Sequence, residues 1–190
     1  MTGKRLPKAE RRKQLLEIAR TIVREEGTDA LTLASLADRA GVTRPITYEH
    51  FKTRSGLLIA LARSVDDQQV ELFLEELGRA RPKLTDVARV ASSGYMRCVT
   101  EVGNEWHSIT AALKGDGEMD AVQQEILDRY ADIYCDAFAR CTNLPKRELK
   151  RRCVAIVGAA EGLAREMLLK RLDERTAATT LRTLIEAWLA

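Results

Sequence analysis

Residues 32–58, TLASLADRAGVTRPITYEHFKTRSGLL, leave the chain little freedom in its local structure. Leu33, Leu36, Ala37 and Ala40 fall on one face of a short helix, with Thr32 as its N-cap. Gly41 supplies the left-handed conformation that ends that helix sharply. Thr43 is placed to cap a second helix, and Pro45 is confined to its first turn, where a missing N–H does no harm. Val42, Ile46 and Phe51 turn inward, which leaves Arg44, Pro45, Thr47 and Tyr48 with no core to fill. Thr53 or Ser55 then begins a third helix. Two short helices around a glycine turn, the second carrying an outward polar face, predict a helix-turn-helix shaped for a DNA major groove.

The charge distribution agrees. Residues 1–64 of the 190 carry 13 Lys/Arg against 7 Asp/Glu, and the remainder carries 18 against 21. A basic first third joined to a mildly acidic remainder suits a nucleic-acid reader attached to something that does not touch phosphate. Chance clustering is the bland alternative. The four cysteines, Cys98, Cys135, Cys141 and Cys153, lie in the second part. They lack CxxC pairing and a histidine at ligand spacing, so no metal site and no cofactor are expected. Scattered cysteines in apolar helical contexts are small core residues of a reducing compartment. The opening MTGKRLPKAERRK is basic and polar, unlike a signal peptide, and no apolar run reaches the roughly 20 residues that cross a bilayer. A soluble, cytoplasmic protein with no membrane partner is the expectation.

Periodicity predicts helices throughout. Ala9–Glu26 forms the first, with Leu15, Ile18, Ala19, Ile22 and Val23 inward and Gly27 as its stop. After the helix-turn-helix, a long helix runs to about Gly78, and Arg81-Pro82 ends it. Leu84–Val102 is periodic, and a shorter helix Glu105–Leu113 is bounded by Gly103 and the Gly115-Asp116-Gly117 turn. Long amphipathic helices follow over Glu118–Cys141, Pro145–Leu172 and Glu174–Leu189. The count is about nine. There is no flexible linker; the long fourth helix belongs to both parts.

With those residues in place, the first 65 positions resemble the tetracycline-repressor (TetR) family of bacterial transcription regulators. The resemblance is carried by Gly27, Thr32, Leu36-Ala37, Ala40-Gly41-Val42-Thr43, Tyr48, Phe51 and Leu57-Leu58, in the family's order and spacing. It implies an all-α fold: a three-helix DNA-binding head over residues 1–53, on a C-terminal helical effector-binding and dimerisation domain over 54–190. It also implies a regulator, most simply a repressor, that binds a palindromic double-stranded DNA operator as a homodimer and is released by a small-molecule effector of unknown identity. Thr32, Tyr48, His50, Lys52 and Arg54 are implied backbone contacts, with Thr43 beside them at the helix start. Arg44, Pro45 and Thr47 are candidates to read bases, and Tyr48 could do either. For Tyr48 and His50 the alternative is surface packing against the first or fourth helix. Arg54 stands where the family usually has lysine. Glu49 is unusual on a helix facing phosphate; it points aside or accepts from a cytosine amino group. Lys4, Arg5 and Lys8 form a basic arm that is either a solvated tail or a DNA-ordered segment.

In the second part, the resemblance implies a pocket among the middle helices and dimerisation through the last two. Tyr130, Tyr134 and Phe138 repeat every four residues; Trp106 and His107 sit on the short helix opposite, near Met96, Asn104 and Leu113. These are the candidate ligand residues, with ordinary core packing as the alternative for each. For dimerisation the candidates are Cys153, Ile156, Val157, Ala160, Leu163, Ala164, Met167 and Leu168 on one helix and Leu181, Leu184, Ile185 and Trp188 on the last. Gly158 and Gly162 permit close approach, and burial within one chain is the alternative. The basic run Lys146, Arg147, Lys150, Arg151, Arg152 reads as a solvated face.

Three other functions are open to a chain of this composition, one of them a nonspecific architectural DNA protein, which a high ratio of specific to nonspecific affinity would set apart. An all-helical enzyme is disfavoured, because there is no Glu-x-x-His pair, phosphate-cradling glycine loop or serine elbow, and no catalytic residue is assigned. A redox trigger needs an exposed thiolate of lowered pKa, for which Cys153 beside Arg151 and Arg152 is the one mild candidate.

Overall fold

The computed structural model describes residues 6–190, and among them the chain forms eight α-helices, one 3₁₀ turn and no strand. In order these are α1 (Lys8–Glu26), the 3₁₀ turn Thr28–Ala30, α2 (Leu33–Ala40), α3 (Arg44–Phe51), α4 (Arg54–Arg79), α5 (Leu84–Ala112), α6 (Gly117–Phe138), α7 (Lys146–Leu168) and α8 (Glu174–Leu189). The helices group into two units. One holds the chain up to Val65 together with Glu105–Asp120; the other holds Asp66–Asn104 and Ala121–Ala190.

In the first unit α1 buries Leu15, Ala19, Ile22 and Val23, the i, i+4, i+7, i+8 stripe of one helical face. That stripe packs on α2, and α2 packs on α3. Leu31, Leu36, Ala37, Phe51, Leu57 and Leu58 complete the interior. Burying each leucine stabilises the unit by about 1.5–3 kcal/mol before entropy is subtracted. The helix ends follow local chemistry. Thr32 and Ser35 form a reciprocal capping box: Ser35 N–H donates to Thr32 Oγ1 and Thr32 N–H donates to Ser35 Oγ, both at 3.0 Å. Gly41 sits at φ 63°, and the Val42 N–H reaches back to the Ala37 carbonyl at 3.0 Å, closing α2 with a Schellman turn. Thr43 occupies the N-cap position of α3, but its side chain makes no capping bond, contrary to expectation. Asp116 caps α6 through bonds from the Glu118 and Met119 N–H groups. Its carboxyl is held below the usual range first by the Ser55 hydroxyl, then by the Glu118 N–H.

In the second unit the parts of α4, α5 and α6 beyond those boundaries pack with α7 and α8. Its interior holds Phe73, Leu77, Val87, Ala91, Met96, Tyr134, Phe138, Cys153, Ile156, Leu181 and Ile185. The predicted break at Gly103 is absent, because α5 continues through it for 29 residues. A glycine inside a helix costs about 1 kcal/mol relative to alanine. Here its missing side chain serves packing: a Cβ at Gly103 would lie only 3.0 Å from Leu168 Cδ2. The expected helix Glu105–Leu113 is therefore the last part of α5.

Candidate nucleic-acid interface

Helix α3 is eight residues long, so each position has a nearly fixed direction. Arg44, Pro45 and Tyr48 are exposed, and Tyr48 keeps 52 % of its surface in solvent. Ile46 is half-buried and Phe51 is buried. Thr47 corrects the sequence reading. It is 0 % exposed, and its hydroxyl lies 2.9 Å from both the Leu33 and Arg44 carbonyl oxygens, so its single proton is spent inside the head. It orients α3 on α2 and has no surface to offer a base. The spacing held that signal, because Thr47 lies one turn before the inward Phe51.

Arg54 is bonded within the head. Its Nε donates to the Leu31 carbonyl at 2.9 Å and its terminal nitrogen to the Thr28 carbonyl at 2.7 Å. Asp29 lies 3.8 Å away. The guanidinium clamps the chain entering α2 to the start of α4, and 39 % of the side chain remains exposed. Arg12, which the sequence does not single out, does similar work at the C-terminal end of α3. It donates to the His50 carbonyl at 2.7 Å and stacks 4.8 Å from the centre of the Phe51 ring. A cation at a helix C-terminus meets the negative end of the macrodipole, and stacking on the ring adds cation–π attraction.

Thr32, Thr43 and Lys52 are exposed around α2 and α3, and Lys52 ends α3 at φ 64°. His50 is half-buried; burial, the largest influence, holds its imidazole below the ordinary 6.5, so near neutral pH it is a neutral ring with one N–H donor. Glu49 is answered by Lys8 at 3.0 Å, and that hydrogen bond followed by the charge itself keeps its carboxyl below the usual range. Lys8 therefore opens α1 instead of belonging to a free arm. Lys4 and Arg5, the rest of that arm, lie outside the described residues. On the rest of the head, Arg39 pairs with Glu25 and Glu26, and Glu105 on α5 receives Arg20 at 2.9 and 3.1 Å and Arg24 at 3.2 Å. The Glu105 side chain is 6 % exposed, so this carboxylate depends on its two arginines for stability.

The candidate ligand residues are divided between the two units. Trp106, His107 and Leu113 belong to the first unit, and Met96, Asn104, Tyr130, Tyr134 and Phe138 to the second. His107 and Asn104 are exposed, Trp106 is half-buried and Leu113 is buried. Met96, Tyr134 and Phe138 are core residues with no free surface, and Tyr130 lines a cavity. The candidate dimer residues divide likewise. Cys153, Ile156, Val157, Ala160, Leu181 and Ile185 are buried within the single chain, where α7 packs on α8. Leu163, Ala164, Met167, Leu168 and Leu184 are half-buried, and Trp188 is 44 % exposed. Periodicity marks an apolar face but not which molecule covers it.

Cys153 does not meet the condition for a redox trigger. It is fully buried, and burial pushes its thiol up to about 12. Burial likewise pushes Cys98 up to about 12 and raises Cys141. No three His, Cys, Asp or Glu side chains among the described residues are grouped as a metal site, and no helix among them is long and apolar enough to cross a membrane.

Residues 15–61 match the sequence profile of bacterial regulatory proteins, tetR family. Over 66 residues the chain is 44 % identical to the HTH-type transcriptional activator FasR of Mycolicibacterium smegmatis, a match spanning 34 % of this chain and only 30 % of that relative. It is 27 % identical over 157 residues to the HTH-type transcriptional regulator BetI of Serratia proteamaculans, covering 80 % of this chain and 78 % of BetI. The fold matches the crystal structure of the multidrug binding protein EbrR complexed with imidazole at a TM-score of 0.73, with 17 % identity and 95 % of each chain covered. The helix-turn-helix and the all-helical fold agree with these likenesses, and residues 15–61 belong to the tetR family of bacterial regulatory proteins.

Proposed function

We propose that this regulator is a cytoplasmic repressor that binds a two-fold-symmetric operator as a homodimer and leaves it when a small molecule binds its helical domain. Residues 1–53 form the reading domain in this proposal, and 54–190 the effector and dimer domain. The observation that carries the reading is the outward face of α3. Arg44, Pro45 and Tyr48 are exposed on a helix whose inner side is fixed by Thr47 and Phe51 and whose end is fixed by Arg12. Arg44 suits bidentate bonding to guanine, and the proline ring suits a thymine methyl.

One such helix reads few base pairs, so a second copy is required for a selective site. The surface left for that copy is the unburied remainder of α7 and α8. Val154 and Trp188 are exposed there, and a Cβ at Gly158 or Gly162 would meet nothing within 4 Å, which leaves room for a partner helix. Effector release is supported by connectivity: α4, α5 and α6 each begin in one unit and end in the other. A ligand that favours one packing of these helices would spoil the match to grooves roughly 34–36 Å apart. It can do so only by its differential affinity for the two states.

Selection of bound sequences from random duplex DNA tests the reading. The expected product is a palindrome of two half-sites. Arg44→Ala should cost about 1–3 kcal/mol on the selected site and relax preference at one base pair per half-site. A selected pool without sequence preference, or unchanged selectivity in an Arg44→Ala, Tyr48→Ala double variant, would refute it.

A further inference from the structure

The second unit contains a cavity of about 190 Å³. That is about six water molecules at roughly 30 Å³ each, below the roughly 300–1,000 Å³ of pockets that hold drug-sized ligands. Its aromatic lining comes from three helices: Phe73 of α4, Tyr95 of α5 and Tyr130 of α6. The Tyr95 and Tyr130 ring centres are 5.7 Å apart, edge to face, and Phe73 lies 6.2 Å from Tyr130. Gly94 makes this gathering possible. A Cβ there would fall 2.9 Å from Phe73 Cδ2 and 3.4 Å from Glu76 Oε2, so any larger residue would push both away from α5.

Three charged side chains complete the lining: Glu76, Arg97 and Glu101. Arg97 donates to both Glu76 oxygens at 2.5 and 2.6 Å, and lies 4.0 Å from Glu101. One cation against two carboxylates leaves a net negative lining. The surroundings deepen it. The Asp66 charge acts on Tyr95, Cys98 and Tyr130, and the Glu161 charge acts on Tyr95. Asp66 is itself bonded by Arg129 at 3.1 Å. Burial raises both tyrosines above their ordinary 10, so the rings stay neutral and keep their electron-rich faces.

We propose that this cavity takes a compact organic cation, of the size of a small quaternary or tertiary ammonium group. Aromatic rings attract such a cation through their quadrupoles. An anion would find its one available partner, Arg97, already held by Glu76, and would face Glu101 and Asp66. A long or flat molecule exceeds the volume. The inference rests on the effector role proposed above, supplying the chemical class of that effector.

The test uses three water-soluble probes of similar compact shape and different charge: tetramethylammonium, tert-butanol and pivalate. Each is titrated into the full-length protein by calorimetry, and release of the selected operator is followed separately by fluorescence anisotropy. Saturable binding of tetramethylammonium alone is expected. Glu101→Gln should weaken it about tenfold and Arg97→Gln should tighten it, an opposite pair that general damage to the fold would not produce. Equal binding of the three probes, preference for pivalate, no saturable binding of tetramethylammonium, or indifference to both substitutions would overturn the proposal. Cation binding that leaves the operator complex intact would uphold the site and refute the effector role assigned above.

Discussion

Threonine 47 shows how one hydroxyl divides a reading surface from a core. On an eight-residue helix its neighbours Tyr48 and Arg44 face solvent, while Thr47 bonds backward to α2. A net hydrogen bond of this kind stabilises by about 1 kcal/mol. His50, on the same helix, couples the head to pH. Burial lowers its folded pKa below the unfolded 6.5, so the unfolded state binds the extra proton in that window. The stability it permits is fully present above 6.5 and is lost as pH falls through the folded value. Denaturant unfolding of the protein and of His50→Gln, compared from pH 7.5 downward, should show curves that separate below 6.5, with the variant losing less. Parallel curves would show that His50 titrates alike in both states.

At the level of the helix, most of the head was legible because local chemistry dictates it. Thr32, Gly41 and Gly27 end their elements where a cap or a positive φ demands. What stayed hidden was whatever depends on a partner distant in sequence. Arg54 reaches 23 and 26 residues back to two carbonyls, and Arg12 reaches 38 residues forward to His50. Neither acceptor can be foreseen until the fold brings it near. Gly103 misled for the same reason, because its packing against Leu168 is tertiary. Gly56 is another such case: a Cβ there would fall 2.3 Å from the Phe51 carbonyl oxygen, and backbone cannot swing aside as a side-chain tip can. Gly56→Ala should therefore destabilise the head, by about 1–3 kcal/mol as in other overpacked sites, although alanine favours helix. Thermal unfolding measures this; a stabilised variant would mean that the turn from α3 into α4 relaxes freely.

On the scale of the whole chain, charge sets the basic first third apart from the remainder, and the helices group into two units with α4, α5 and α6 running through both. The apolar stripes of α7 and α8 were legible as stripes, yet six of the candidate dimer residues fill the chain's own interior. Burial by self and burial by partner call for the same residue types, so periodicity cannot separate them. The cavity was harder to foresee. Of its lining Tyr130 stood out as a candidate ligand residue, whereas Phe73, Gly94 and Arg97 acquire meaning from side chains on other helices.

The internal engagement of the head's arginines has a consequence for thermodynamics in solution. Counting the 13 Lys/Arg of residues 1–64 would forecast many displaced sodium or potassium ions per operator bound. Yet Arg12 and Arg54 are tied to carbonyls, and Arg20, Arg24, Arg39 and Lys8 to carboxylates. Groups so engaged are not free to neutralise a phosphate and displace the cations condensed on the duplex, so the fall of log affinity with log salt should be markedly shallower than that tally implies. A gradient matching the full tally, measured between 50 and 200 mM potassium chloride, the range over which such ion release is read, would mean these pairs open whenever the duplex arrives.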